Sequence, residues 1–146
     1  MKYFAYGMNT NLGEMAHRCP NAQTLGHAIL PGYKFAFHQH ADVVDSKEDE
    51  VNGVLWEITD ECLAALDILE GYPQYYTRHT VDVKWRGKTV KAITYQMNPE
   101  YQVPATPSPG YFFMVSKGYA QHRVNAQQLH EAYATAKEVD QYSVFL

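Results

Sequence analysis

Glu70 stands where a carboxylate is expensive. Along the stretch from Cys62 to Glu70, a helical turn carries each residue about 100° on from the last. Leu63, Leu66 and Glu70 then share one face, the face that the leucines turn to the core. Asp67 falls nearer the rim of that stripe. Taking a carboxylate out of water raises its pKa unless a partner or a proton compensates. A carboxyl held nearer neutrality suits general acid–base chemistry. The competing reading is a frayed last turn from which Glu70 swings into water.

A second candidate lies near the start. In Phe4-Ala5-Tyr6-Gly7-Met8-Asn9-Thr10-Asn11 an apolar strand runs into a glycine-centred turn. Glycine lets the backbone approach a ligand closely, and successive N–H groups in such a turn hold an anion. A helix starting after Asn9 would add the favourable potential of its N-terminus. The plainer reading is a strand-to-helix turn capped by Asn9 or Asn11. The spacing is neither GxGxxG nor a P-loop, so no dinucleotide or ATP is expected.

Other reactive residue types lack a setting. His38-Gln39-His40 would place two imidazoles on one side of a strand, near Asp42, but no further ligands have metal-site spacing. No metal is expected. Ser108 and Ser116 sit in no GxSxG elbow. The acidic stretch from Asp45 to Glu50 lacks EF-hand spacing and reads as a solvated loop. Cys19 and Cys62 form no CxxC pair; reduced thiols in a cytoplasmic protein explain them best, a single disulfide being the alternative.

The positioning elements follow from periodicity and punctuation. Strands are expected over residues 2–6, 28–38 and 51–58, with an acidic loop at 42–50. A short helix is expected over 9–18. A second helix, Asp60–Leu69, is capped by Thr59 or Asp60 and stopped by Gly71 and Pro73. Strands 80–85 and 89–97 join around Arg86-Gly87-Lys88. Residues 99–109 read as a proline-rich loop. A last helix starts at Asn125, which with Gln128 resembles a capping box; Ala126, Leu129, Tyr133 and Ala136 form its apolar stripe. Many short strands with few helices give an α+β chain, a small barrel or strongly curved sheet with helices outside.

The totals set the class. A chain of 146 residues fits one domain, 1–146, with a core of its own. Hydrophobic residues at 46% and charged residues at 19% are ordinary for a globular protein. The net charge of −4 and the lack of a basic stripe argue against nucleic acid. No apolar run is long enough to span a membrane, and the first residues turn polar too soon for a signal peptide. The 12 tyrosines suit either a pocket of apolar walls with polar tips or plain strand propensity.

Several segments, in order, resemble the γ-glutamylcyclotransferase superfamily (AIG2-like). Tyr3-Phe4-Ala5-Tyr6-Gly7-Met8-Asn9 resembles its opening strand and YGSN loop. Asp49-Glu50-Val51-Asn52-Gly53-Val54-Leu55-Trp56 resembles the strand leading to its catalytic helix. Leu66-Asp67-Ile68-Leu69-Glu70-Gly71 is similar to its LDxxEG segment, and Pro107-Ser108-Pro109-Gly110-Tyr111 to its PSPxY segment. The resemblance implies a small mixed β-barrel with flanking helices, a cavity at one end and no cofactor. It implies Glu70 as the catalytic residue, with Tyr6, Gly7, Met8, Asn9, Tyr76 and Tyr111 around the substrate, a γ-glutamyl amide that closes to 5-oxoproline. Met8 departs from the family's serine, which removes any hydroxyl contact there but not a backbone one. Residues 121–146 carry no family motif. A binding protein that keeps the barrel without turnover is the alternative. The sequence sets neither the leaving amine nor the oligomeric state.

Overall fold

The computed structural model describes residues 1–143, with side chains through residue 140. Five strands close into a barrel in the order β1-β3-β2-β4-β5: β1 Lys2–Ala5, β2 Gln23–His38, β3 His40–Glu57, β4 Tyr76–Trp85 and β5 Lys88–Met97. Neighbours are antiparallel except at the closing seam, where Tyr3 of β1 meets Ile93 of β5 in parallel. The helices are α1 Leu12–Arg18, α2 Asp60–Leu69, α3 Pro109–Gln121 and α4 Gln127–Ser143, with 3-10 turns at Met8–Thr10 and Pro99–Tyr101. The core includes the fully buried Phe4, Met15, Leu30, Phe37, Leu55, Leu66, Met97, Tyr119 and Leu129.

Where the chain was easiest to read, local chemistry decides. Thr59 Oγ1 accepts the Cys62 N–H at 3.2 Å and starts α2. Arg86 and Gly87 both have positive φ, 49° and 73°, the two-residue turn that matches strand twist in the β4–β5 hairpin. Asn11, of the two candidates, caps α1: its Oδ1 accepts the Glu14 N–H at 3.2 Å.

Four expectations are corrected. The acidic stretch lies within β3 rather than in a loop, because its flanks pair with β2; the register passes from Pro31↔Glu50 to Tyr33↔Asp45, so residues 46–49 are left out of that ladder. The chain after Pro109 is a helix. Ser108 Oγ accepts the Tyr111 N–H at 3.2 Å and Pro109 occupies the first turn, a start signal hidden among prolines. Gln128 spends its amide on Asn52 and the Tyr119 hydroxyl instead of a capping box, while Asn125 Oδ1 still accepts the Gln127 N–H at 2.9 Å. Cys19 and Cys62 are joined as a disulfide, tying the end of α1 to the first turn of α2. Their 43-residue separation gave no hint of a Cα–Cα distance of 5.1 Å. The support that reduced thiols lent to a cytoplasmic setting is therefore gone. No described helix is long and apolar enough to cross a membrane.

α3 holds the glycine turn in place. Asn11 Nδ2 donates to Met114 O at 3.0 Å, and Tyr119 OH donates to Tyr6 O at 2.6 Å. At Gly118 a Cβ would collide with Thr10 Oγ1 and lie 2.6 Å from Asn11 N, so only glycine lets α3 sit this close.

Candidate active site

The ends of β1, β4 and β5, the β2–β3 tip and the end of α2 enclose a cavity of about 260 Å³. Glu70 enters it from the C-terminus of α2. The last turn is closed, not frayed: Glu70 N donates to Leu66 O at 2.9 Å and Tyr72 N to Asp67 O at 2.9 Å. Gly71, at φ +64°, takes the left-handed position that ends the helix. Asp67 leaves for other partners, accepting from Tyr95 OH at 2.7 Å and pairing with Arg78 Nε at 3.0 Å. Among the described residues, no hydrogen bond or ion pair reaches the Glu70 carboxyl. Burial pushes its pKa from 4.5 up to about 7, and the nearby Arg18 charge only partly opposes that rise.

The glycine turn shares this cavity with Glu70: Tyr6, Gly7, Met8 and Asn9 all line it. A Cβ on Gly7 would stand 2.8 Å from Ala41 Cβ and 3.3 Å from the Tyr111 hydroxyl, so the turn approaches the hairpin tip closely. Gly7 O accepts from both Thr10 N at 3.1 Å and Thr10 Oγ1 at 2.8 Å. The leading N–H groups of a 3-10 turn have no partner within it.

The tyrosines divide by what their protons do. Tyr6 OH donates to Tyr95 O at 2.5 Å and Tyr76 OH to Ala41 O at 2.9 Å, so these two form walls. Tyr111 OH accepts the Ala41 N–H at 3.0 Å, and Tyr3 OH accepts from Asn9 Nδ2 at 3.0 Å. Among the described residues neither hydroxyl donates a hydrogen bond. Burial, with the Glu70 charge adding to it, holds both phenols well above their ordinary pKa, so they stay protonated donors.

Glu70, Tyr6, Gly7, Met8, Asn9, Tyr76 and Tyr111, singled out from sequence, thus all line one cavity. Tyr3, Arg18, His40, Tyr75 and Tyr95 line it too and were missed as site residues. Tyr3 and Tyr95 were hidden among strand tyrosines, and Arg18 at the end of a polar helix. His40 was considered only as half of a metal pair, a reading set aside for want of further ligands. Gln39 (φ 69°) forms the hairpin tip between the two, and their imidazoles take different partners. His38 Nδ1 bonds buried Asp42 at 2.7 Å, while His40 packs on the Tyr111 ring at 5.1 Å and burial lowers its pKa. Among the described residues no cluster of three or more His, Cys, Asp or Glu is placed to hold a metal.

In sequence and fold the chain is similar to known proteins. The family model described as "Gamma-glutamyl cyclotransferase, AIG2-like" matches residues 3–113. A gamma-glutamylcyclotransferase of Bos taurus is 32% identical over 130 residues, covering 80% of this chain and 68% of its own. A solved gamma-glutamyl cyclotransferase superposes with TM-score 0.77 at 27% identity, over 94% of this chain and 86% of that one. An uncharacterized protein of Homo sapiens gives TM-score 0.76 at 27% identity, over 93% and 85%. YkqA of Bacillus subtilis shares the fold, with TM-score 0.74 at 21% identity over 97% of this chain and 53% of that one. The barrel with flanking helices expected from sequence is the fold these structures share. The chain belongs to the gamma-glutamyl cyclotransferase, AIG2-like family and is an enzyme of that type.

Proposed function

We propose that the enzyme cyclises a γ-glutamyl amide to 5-oxoproline and releases the amine, with Glu70 carrying the proton. The observation that supports this most is the Glu70 carboxyl, unpartnered among the described residues and held near pKa 7 in a cavity it shares with the glycine turn. A carboxyl poised there is ionised often enough to accept a proton and acidic enough to return one.

The substrate carries both reactants. Its α-ammonium gives a proton to Glu70, and the freed amine attacks the γ-carbonyl of the same molecule. A five-membered C–N bond forms, and the tetrahedral oxyanion collapses as the γ-C–N bond to the leaving amine breaks. Glu70 returns its proton to that amine and then takes the second proton from the ring nitrogen, which leaves the lactam of 5-oxoproline neutral; the departing amine carries that proton off as its ammonium. Nothing is oxidised or reduced, and no covalent enzyme intermediate is needed, so no cofactor enters the scheme. The cavity's task is to fold the glutamyl chain into attack geometry. Backbone N–H groups of Gly7, Met8 and Asn9 hold either the oxyanion or the α-carboxylate. The free O–H protons of Tyr111 and Tyr3 are further donors, and Tyr6 and Tyr76 are walls.

The test is release of 5-oxoproline from γ-glutamyl amino acids, γ-glutamyl amines and glutathione by wild type and Glu70→Gln. The reading expects turnover on one class, reduced at least about a hundredfold in the variant, with binding kept. Turnover retained by Glu70→Gln contradicts the proton role. No turnover on any class favours a metabolite-binding protein on the same barrel.

A further inference from the structure

The cavity pairs its acid with a base of opposite charge. Among the described residues lining it, Arg18 alone bears a permanent positive charge, and it is close enough to Glu70 to lower that group's pKa. Arg18 closes the last turn of α1, where a cation suits the helix dipole. A purely structural role is the competing account: Nη1 donates to Asn9 Oδ1 at 2.5 Å, and Nη2 lies 3.2 Å from Glu14 Oε2.

That account leaves the charge incompletely answered. Glu14 does not line the cavity, and its side chain is 31% exposed, so water screens the pair. A guanidinium has five N–H donors, and these two contacts do not use them all. The Asn9 bond also fixes the fork: Asn9 passes its other amide end to Tyr3 OH. Apart from Asn9 and His40, the remaining side chains lining it are tyrosines or apolar. A ligand with separated charges fits such a cavity, its cation toward Glu70 and its anion toward Arg18.

We propose that Arg18 is the carboxylate-recognising residue of the cavity, selecting zwitterionic or anionic γ-glutamyl substrates. The proposal rests on the γ-glutamyl reading above. Two carboxylates supply the same chemistry: the substrate's α-carboxylate and, for γ-glutamyl amino acids, that of the leaving group.

A substrate cycle separates them. kcat and KM are measured for γ-glutamyl-L-alanine, for γ-glutamylethylamine (no leaving-group carboxylate) and for 4-aminobutanoyl-L-alanine (no α-carboxylate). Wild type, Arg18→Gln and Arg18→Lys are compared. The wild type should prefer γ-glutamyl-L-alanine over one truncated analogue by about tenfold or more, mainly through KM, and Arg18→Gln should abolish that preference. Which preference collapses identifies the carboxylate. Arg18→Lys keeps the charge but not the fork and should retain part of it; it carries the test alone if Arg18→Gln does not fold. Equal losses on all three substrates, with preferences intact, would make Arg18 a structural staple and overturn the proposal. If the wild type turns over none of them, the γ-glutamyl reading fails separately. The comparison then passes to calorimetric binding of 5-oxoproline and of 2-pyrrolidinone, its carboxylate-free analogue. Equal affinities in wild type and Arg18→Gln would overturn the Arg18 assignment there as well.

Discussion

Asp42 and Glu70 are interior carboxylates placed under opposite conditions. Asp42 is fully buried and saturated: Met97 N–H donates to it at 2.9 Å, Gln102 Nε2 at 3.0 Å, and His38 Nδ1 lies 2.7 Å away. It locks the hairpin tip and the end of β5 together. Glu70 is half-buried, and among the described residues nothing bonds its carboxyl. One carboxylate is spent on structure, and the other is left available. Buried polar groups are normally paired, so an unpaired one facing a cavity is the more informative of the two.

Breaking each carboxylate should expose the difference. Asp42→Ala strands three donors at once and should cost about 3–5 kcal/mol in urea unfolding at pH 7. A loss under about 1 kcal/mol would show that the Asp42 network is dispensable. Glu70→Gln should act in the opposite direction, and the sign follows from its raised folded-state pKa. Below pH 4.5 folded and unfolded chains both carry the proton, and the stability from protonated Glu70 is fully present. As pH rises from 4.5 through about 7 that stability is lost, because the unfolded chain ionises first. The deficit approaches 3 kcal/mol at most, roughly, given the group's partial exposure. Glu70→Gln should therefore be more stable than wild type at pH 8 and equal to it near pH 4. Equal stability at both pH values would contradict the shift.

Tyr111→Phe probes the smallest step. It removes the oxygen that accepts the Ala41 N–H and the O–H that donates to no described residue. About 1–2 kcal/mol of stability and about tenfold in kcat/KM should go. Unchanged kcat/KM would make Tyr111 a wall only.

The cavity's main acid was legible because α2 is governed locally. Thr59, Leu63, Leu66 and Gly71 fix its start, face and end, and Glu70 follows from them. The turn at Gly7 was legible for the same reason. What stayed hidden depends on distant chain. The end of α1 brings Arg18 back beside Asn9, and the tip at Gln39 sets His40 against Tyr111. The pairing of Cys19 with Cys62 needs α1 and α2 already side by side. α3 was missed although Ser108 and Pro109 signal its start, because Gly110, Gly118 and the run of aromatics weaken helix propensity. The acidic part of β3 reads as loop because its side chains are mostly exposed; its flanks pair with β2 all the same.

The most direct measurement is a carbon-13 NMR titration of the glutamate side-chain carboxyls in wild type and Glu70→Gln. The account predicts one carboxyl titrating near pH 7 in the wild type and missing from the variant. A Glu70 signal titrating near 4.5 would contradict it.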